Sequence, residues 1–454
     1  MMWTFVERAT LTATALTTTL ILFAAPTSVT LPAIVAVTAL SILRLVNNSA
    51  RWQMAPAYLA VAWLCVAVVT ELPVGVRIVG GLVALALSTV SAALVVGFPI
   101  PSLPQPDGPF GVGVITTTEE RDVRTAPRMG RRRLFVTTWY PAEANLAQRH
   151  SEGEALWSEF HEAPGIPSGL RRLAGYLKQV RTHAIRGAHA SRHATTAPVV
   201  LYQPGLVSIT AENSLLMESL ASHGYVVVSV RHIDQRAELE ETDAAVAPAT
   251  ASRIQEINRE LRGRLTRSER ARISAELYRL STSTATVVAR RTEDSQHVLD
   301  RLPTILATIP GYPTDELGSG RPIATMGLSL GGAVASELSK IDNRCAAAIN
   351  IDGGLYSERP HDPLSIPYLM IYSELNSGSN DFARDTAQAE FHEMTAPGTK
   401  HLDFHDATVV LPILRWLGHL GDASGIGIVR WKNSQIRQFL DRTVRCTTPD
   451  TSAR

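Results

Sequence analysis

The chain has 454 residues, 19% of them charged, with a formal net charge of +1 and three cysteines. It is too long for one typical domain and too poor in charge for a wholly soluble protein. The balance leaves no cationic field to hold a phosphate backbone, which sets nucleic acid aside as a partner. Cys65, Cys345 and Cys446 are too few for a disulfide framework, and their spacing does not suit structural zinc.

The charge deficit is local. Residues 9–100 carry only Arg44, Arg51, Glu71 and Arg77, whereas residues 101–454 are about 22% charged, ordinary for a globular domain. Spanning a bilayer takes roughly 20 apolar residues in a helix. Four stretches approach that length: 9–25, 27–43, 52–70 and 78–100. The last is long, uncharged and followed by Pro99, Pro101, Pro104 and Pro106, which break the helix. The first is short and heavy in threonine, so it reads either as a span or as a signal-like or interfacial segment. Residues 1–100 are therefore expected to be an anchor of three or four transmembrane helices. Four spans gather Arg8, Arg44 and Arg51 on the side of the C-terminal part, against Arg77 opposite, and three reverse that parity. No span carries an intramembrane Asp, Lys or His suited to transport, so anchoring is the expected role.

Residues 101–108 form a Pro-rich linker, and 109–445 are expected to form the catalytic domain. Apolar runs predict strands at 110–115, 133–141, 197–205, 225–232, 322–329, 346–354, 367–374 and 399–404. Several are continuous rather than alternating, as in strands buried on both faces of a mostly parallel sheet. Helical patterns lie between them at 211–223, 284–308, 330–341, 407–418 and 427–441. The fold class is α/β, a mostly parallel central sheet with helices on both faces. Residues 237–283, with charges of both signs at helical spacing, read as a helical insertion: a lid over a site, or a solvated excursion. Residues 155–190 combine Trp157, Phe160 and Tyr176 with Arg171, Arg172, Lys178, Arg181 and Arg186, so they suit a lipid surface or an exposed helix.

The sharpest chemical signal is Gly327-Leu328-Ser329-Leu330-Gly331-Gly332. An apolar strand, Ile323–Met326, leads in and a helix, Ala333–Lys340, leads out, which is the setting of a nucleophile elbow. Small residues at 327 and 331 keep neighbouring side chains out of a tight turn. A serine hydroxyl needs a base, and the base needs an oriented acid. Such partners follow in the order Ser, Asp or Glu, His, at later strand ends. Asp352 ends the run AAAINI before Gly353-Gly354, with Glu374 as its rival. His401 is the expected base, with His405 the alternative. Two N–H donors are needed for the oxyanion. Leu330 is one, and Leu206, in the loop after LYQPG, is the other. No metal or cofactor is implied.

Several pieces together resemble one family, the plasma and intracellular type II platelet-activating factor acetylhydrolases, with bacterial relatives in the dienelactone-hydrolase and polyester-hydrolase branch of the α/β-hydrolases. They are Leu220-Ala221-Ser222-His223-Gly224-Tyr225-Val226-Val227-Val228, running on to Arg231-His232-Ile233-Asp234-Gln235-Arg236-Ala237; Trp139-Tyr140-Pro141; His297-Val298-Leu299-Asp300-Arg301-Leu302; the elbow; the aspartate strand; and His401-x-x-Phe404. The likeness covers about residues 110–410. It implies an α/β-hydrolase fold, Ser329 as nucleophile, Asp352 as acid, His401 as base and Leu206 with Leu330 as oxyanion donors. It also implies metal-free cleavage of short or oxidised acyl chains on lipids. Pro204-Gly205 and Leu328 stand where the family usually has His-Gly and His, which removes polar groups expected at the site rim. The expectation is thus a membrane-anchored serine ester hydrolase for short-chain or phospholipid sn-2 acyl esters. The alternatives are a general carboxylesterase or polyester hydrolase, and a catalytically silent hydrolase fold that only binds.

Overall fold

The computed structural model describes residues 2–23, 26–46, 51–70, 72–125, 128–143, 153, 157, 169, 173–207, 209–232, 246–313, 320–359, 362–423 and 425–445. Cys446, Phe160, Arg171, Arg172 and the segment 233–245 lie outside them. The chain divides into two compact units: Met1–Ser102 with Val410–Ile413, and Leu103–Val409 with Leu414–Arg454.

The first unit holds four helices, α1 (Met2–Leu22), α2 (Thr27–Val46), α3 (Ala55–Val69) and α4 (Val74–Gly97). Among the described residues three segments, Ser28–Val46, Trp52–Val69 and Val74–Gly97, are long and apolar enough to cross a membrane. Many large apolar side chains face outward from these helices, including Val35, Leu59, Val79, Leu82 and Val96. The helices approach closely through small residues. A Cβ on Gly80 would stand 2.3 Å from the Trp63 ring, and one on Gly81 would stand 2.5 Å from Leu22. Helix α1 is polar by composition but pairs its hydroxyls within itself. Thr14 Oγ1 donates to Thr10 O (2.7 Å) and Thr18 Oγ1 to Thr14 O (2.7 Å). Its Glu7 is buried and takes Arg44 Nη2 at 2.8 Å and Arg51 Nη2 at 2.5 Å.

The second unit is built on a nine-stranded sheet: β1 (Gly111–Thr125), β2 (Arg128–Ala142), β3 (Ile185–Arg186), β4 (Val199–Gln203), β5 (Val226–His232), β6 (Ile323–Leu328), β7 (Cys345–Ile351), β8 (Tyr368–Ser373) and β9 (Phe391–Ala396). The spatial order is β3-β1-β2-β5-β4-β6-β7-β8-β9. β2 pairs antiparallel with β1 and β5, and every pairing from β5 to β9 is parallel. Every residue of β4, β6 and β8 is buried, the pattern of strands covered on both faces. The described helices of this unit include α5 (Ser214–Ser222), α6 (Pro248–Glu260), α7 (Arg267–Leu280), α8 (Thr282–Asp300), α9 (Leu330–Ile341), α10 (Asp381–Thr386) and α11 (Gly425–Leu440).

Two expectations need correction. The run 399–404 is not a strand: His401–Phe404 is a 3-10 turn, because Asp403 Oδ2 accepts from Lys400 N (2.8 Å) and Gly421 N (2.6 Å) and draws the backbone round. The last strand is instead β9, whose residues are mostly half-buried and of mixed polarity, as an edge position allows. In 155–190, Trp157 and Tyr176 are buried, so neither offers its ring to a lipid surface. The insertion does form helices. Thr266 and Glu269 make a capping box at the start of α7, and Ile257, Ile273 and Leu277 bury the apolar faces of α6 and α7 together.

A buried ionic hub ties the outer strands to α8. Asp294 accepts from Arg121 Nε (2.9 Å), Arg132 Nε (2.9 Å) and His232 Nδ1 (2.8 Å). Burial alone would raise its pKa, but His232 and Arg132 outweigh burial and hold the carboxyl well below the ordinary aspartate range. The stabilisation is therefore present above about pH 4, where an unfolded aspartate is ionised, and is lost as pH falls below it. Asp294→Ala leaves buried cations without their carboxylate and should cost about 3–5 kcal/mol, read as a lowered thermal midpoint at pH 7. The gap between the variant and the parent should narrow as the melt is repeated toward pH 3.

Candidate active site

The register of the parallel strands brings the loops that follow them to one level. Gln203 pairs with Gly327, Leu328 with Ile351, and Ile351 with Ile371. Gly205, two residues past Gln203, and Ser329 and Asp352, each one residue past its strand, therefore emerge side by side at the carboxyl edge of the sheet, where α/β folds bind ligands.

Ser329 has φ 56° and ψ −123°, a conformation that carbon-bearing side chains rarely adopt. Among the described residues, Ser329 and Asp352 (φ 54°) are the two non-glycine residues with positive φ. The turn at Ser329 is held by its own N–H, donated to Ile351 O at 2.9 Å, and by Gly332 N, which donates to Ser329 O at 2.9 Å. It exists only because the flanking positions lack Cβ atoms. A Cβ on Gly327 would stand 2.0 Å from Gly331 O, and one on Gly331 would stand 1.9 Å from Gln203 O. Leu330 opens α9, so its N–H has no partner within the helix.

Asp352 is buried and saturated with donors. Its Oδ1 accepts from Ser373 N (2.7 Å), and its Oδ2 from Asn376 Nδ2 (2.8 Å) and His401 Nδ1 (2.8 Å). The His401 side chain keeps 37% of its surface exposed, enough for its other nitrogen to meet a substrate. Burial disfavours the charged ring, but the Asp352 hydrogen bond and charge outweigh it, so the His401 pKa lies above the ordinary histidine value. The two rivals stand elsewhere. Glu374 accepts from Gly398 N at 2.6 Å. His405 lies behind His401, its ring centroid 6.3 Å away. Its pKa is pushed down to about 3 by burial first, then by the charges of His401 and Lys432.

Ser329, Asp352 and His401 share the wall of one cavity of about 530 Å³ with Leu206 and Leu330. All five residues singled out in the sequence thus come together. The insertion contributes Leu261, just past α6, and Leu277 and Tyr278 of α7 to the same wall. Leu328 does not reach it: the side chain is wholly buried within β6, and Pro204 is buried too, so neither forms part of the rim.

Three residues around the site escaped the sequence reading. Asn376 supplies a side-chain donor to Asp352 beside His401, from a turn with no helical or strand period to mark it. Glu212 and Arg291 are buried and bond the backbone of the Gly205-Leu206 loop. Arg291 did leave a trace, because it falls on the buried stripe of α8 with Val287, Val288, Ser295 and Val298. A cation at such a position has to find partners inside the protein.

The family model described as platelet-activating factor acetylhydrolase, isoform II, matches residues 97–445. A search of curated proteins finds no match. Among solved structures, a ferulic acid esterase from Streptomyces cinnamoneus superposes with a TM-score of 0.53 at 24% identity, covering 78% of this chain and 96% of that one. A dienelactone hydrolase from Anabaena variabilis is more distant, at TM-score 0.34 and 12% identity over 72% of this chain and 99% of that one. The parallel sheet, the turn at Ser329 and the extent of the family match converge on one statement: the chain belongs to the platelet-activating factor acetylhydrolase isoform II family of α/β-hydrolases.

Proposed function

We propose that this protein is a membrane-anchored serine ester hydrolase that cleaves short-chain or phospholipid sn-2 acyl esters through an acyl-enzyme. The observation that carries the reading is the His401 Nδ1 to Asp352 Oδ2 bond of 2.8 Å, on the same cavity wall as a serine held in a strained elbow. Ser329 Oγ attacks the ester carbonyl while His401 Nε2 takes its proton, and Asp352 holds the ring by Nδ1–H. The Leu206 and Leu330 N–H groups receive the oxyanion. As the tetrahedral adduct collapses, the C–O bond to the alcohol breaks and His401 returns the proton to the leaving oxygen. Water, deprotonated by the same ring, then releases the acid and restores the serine. The short-acyl preference is supported by the family the chain belongs to and by the size of the cavity, in which Leu206, Leu277, Val287 and Tyr356 offer apolar contact.

For the membrane part, the proposal takes α1 as a fourth span. Its 21 residues reach about 31 Å, and the threonine hydroxyls that lower its hydropathy are bonded to carbonyls of the preceding turn. With four spans, the N-terminus and the catalytic unit share one side.

Ser329→Ala should abolish both ester hydrolysis and labelling by a fluorophosphonate, with the fold retained by circular dichroism; a variant that still labels would remove Ser329 from the reaction. Among substrates, sn-2 acetyl phospholipids and short p-nitrophenyl esters should outrun long-chain esters and a polyester film. The base must be neutral to act, so kcat/KM should fall with acidification through a midpoint above about pH 6.5. Asp352→Asn should lower the rate by about 10⁴-fold and move that midpoint down. Tags at the two ends of the chain should be digested together or protected together when intact cells are treated with protease; one cut and one spared would leave an odd number of spans.

A further inference from the structure

The loop that follows β4 is held from both sides by buried polar side chains. Gly205 N–H donates to Glu212 Oε1 at 2.9 Å, and the Tyr202 hydroxyl donates to the same oxygen at 2.6 Å. From the other side, Arg291 of α8 donates through Nη1 to Gly205 O and through Nη2 to Leu206 O, each at 3.1 Å. Both side chains are out of water, with Arg291 0% and Glu212 1% exposed, and burial raises the Glu212 pKa to about 7. A buried guanidinium costs several kcal/mol in lost hydration. Here two consecutive loop carbonyls offset part of that cost, and the planar fork of arginine suits two acceptors in a row.

The consequence for the site follows from peptide geometry. In a trans peptide the C=O and the next N–H point in opposite directions. Tying Gly205 O to Arg291 therefore turns the Leu206 N–H away from α8. Leu206 lines the cavity with Ser329, and the position of a Cβ on Gly205 lies 3.6 Å from the Ser329 Cβ. Without such ties a Pro-Gly loop has several turn conformations open to it, and in those with the peptide flipped the carbonyl oxygen, not the N–H, would meet the developing oxyanion.

We propose that Arg291 and Glu212 are positioning residues: Arg291 holds the Gly205-Leu206 peptide by its carbonyl and Glu212 holds the peptide before it by the Gly205 N–H, so that the Leu206 N–H is fixed toward the oxyanion before the substrate arrives. This rests on the reading of Leu206 as an oxyanion donor in a serine ester hydrolase. The clamp acts on the transition state rather than on ground-state binding, so its loss is a loss of kcat with KM little changed.

The test compares Arg291→Met, Arg291→Lys, Glu212→Leu and Glu212→Gln in the full chain in detergent. Each is normalised to the sites that a fluorophosphonate labels at completion. Arg291→Met and Glu212→Leu should lose about 100-fold in kcat on an oxygen ester. They should lose much less on the matching thionoester, whose developing sulfur anion is a poor hydrogen-bond acceptor. Glu212→Gln keeps an acceptor for Gly205 N–H and should recover most of the rate, whereas Arg291→Lys, with one donor group for two carbonyls, should recover only part. Labelled Arg291→Met with the parent's kcat, or with equal losses on ester and thionoester, would overturn the clamp. If Arg291→Met does not fold, Arg291→Lys and the Glu212 pair decide by the same ratio. A parent protein that neither labels nor hydrolyses esters would instead overturn the underlying reading of the site.

Discussion

The geometry of the site depends on backbone atoms from adjacent strand ends lying closer than any Cβ permits. At Gly327, Gly331 and Gly353 an added Cβ would come within 2.0, 1.9 and 2.2 Å of a carbonyl oxygen, two of them across strand boundaries. That close packing keeps Ser329 at φ 56°, a conformation that costs on the order of 1–3 kcal/mol and persists only where its surroundings over-determine it. Asp352 shares the condition. Its N–H donates to Ile371 O at 2.7 Å, and the following Gly353 N is tied to Asn350 Oδ1 at 2.8 Å. The two strained residues are the ones whose side chains must leave the sheet in a fixed direction. Strain and placement are here one property of the glycine contacts.

The electrostatics divide two neighbouring histidines by their partners. His401 sits against the Asp352 carboxylate, which favours the charged ring; His405 is kept neutral by burial first, and then by the charges of His401 and Lys432. The buried Lys432 also props the turn that carries His401, since its ammonium donates to Phe404 O at 2.8 Å and to Asn213 Oδ1. Glu212 and Arg291 act instead on the backbone of the loop after β4, so that part of the site is organised by hydrogen bonds to main-chain groups.

Much of this was legible in the sequence because it follows from local pattern. The runs VVLYQ, IATMGL and YLMIYS read as doubly covered strands, and the elbow announced itself by small residues between strand and helix. The order Ser329, Asp352, His401 needed only the topology of a parallel sheet. What failed had tertiary causes. TKHLDF has the apolar content of a strand, yet Asp403 bends it by bonding the distant Gly421 N, which no local window contains. The edge strand FHEMTA is half-exposed and so lacks the pattern that burial imposes. The charged helices of 237–283 were visible, but their bearing on the cavity turns on where Leu261, Leu277 and Tyr278 dock.

The N-terminal unit shows how pairing changes the meaning of charge counts. Arg44 and Arg51 stand among the few cations available to orient the helices, but both are buried against Glu7. A guanidinium bonded to a carboxylate inside the bundle is a weaker topological signal than one free at the membrane surface, and the three groups together carry a single positive charge. The same ion cluster works in the other direction on α1, because Glu7 at its start fastens that helix to the end of α2 and to the turn before α3. A segment whose threonines are internally bonded and whose carboxylate is internally neutralised has few polar groups left to keep it out of a bilayer. Hydropathy summed over residues counts those groups as if each still faced water. Counted by the bonds it makes, α1 is less polar than its composition suggests.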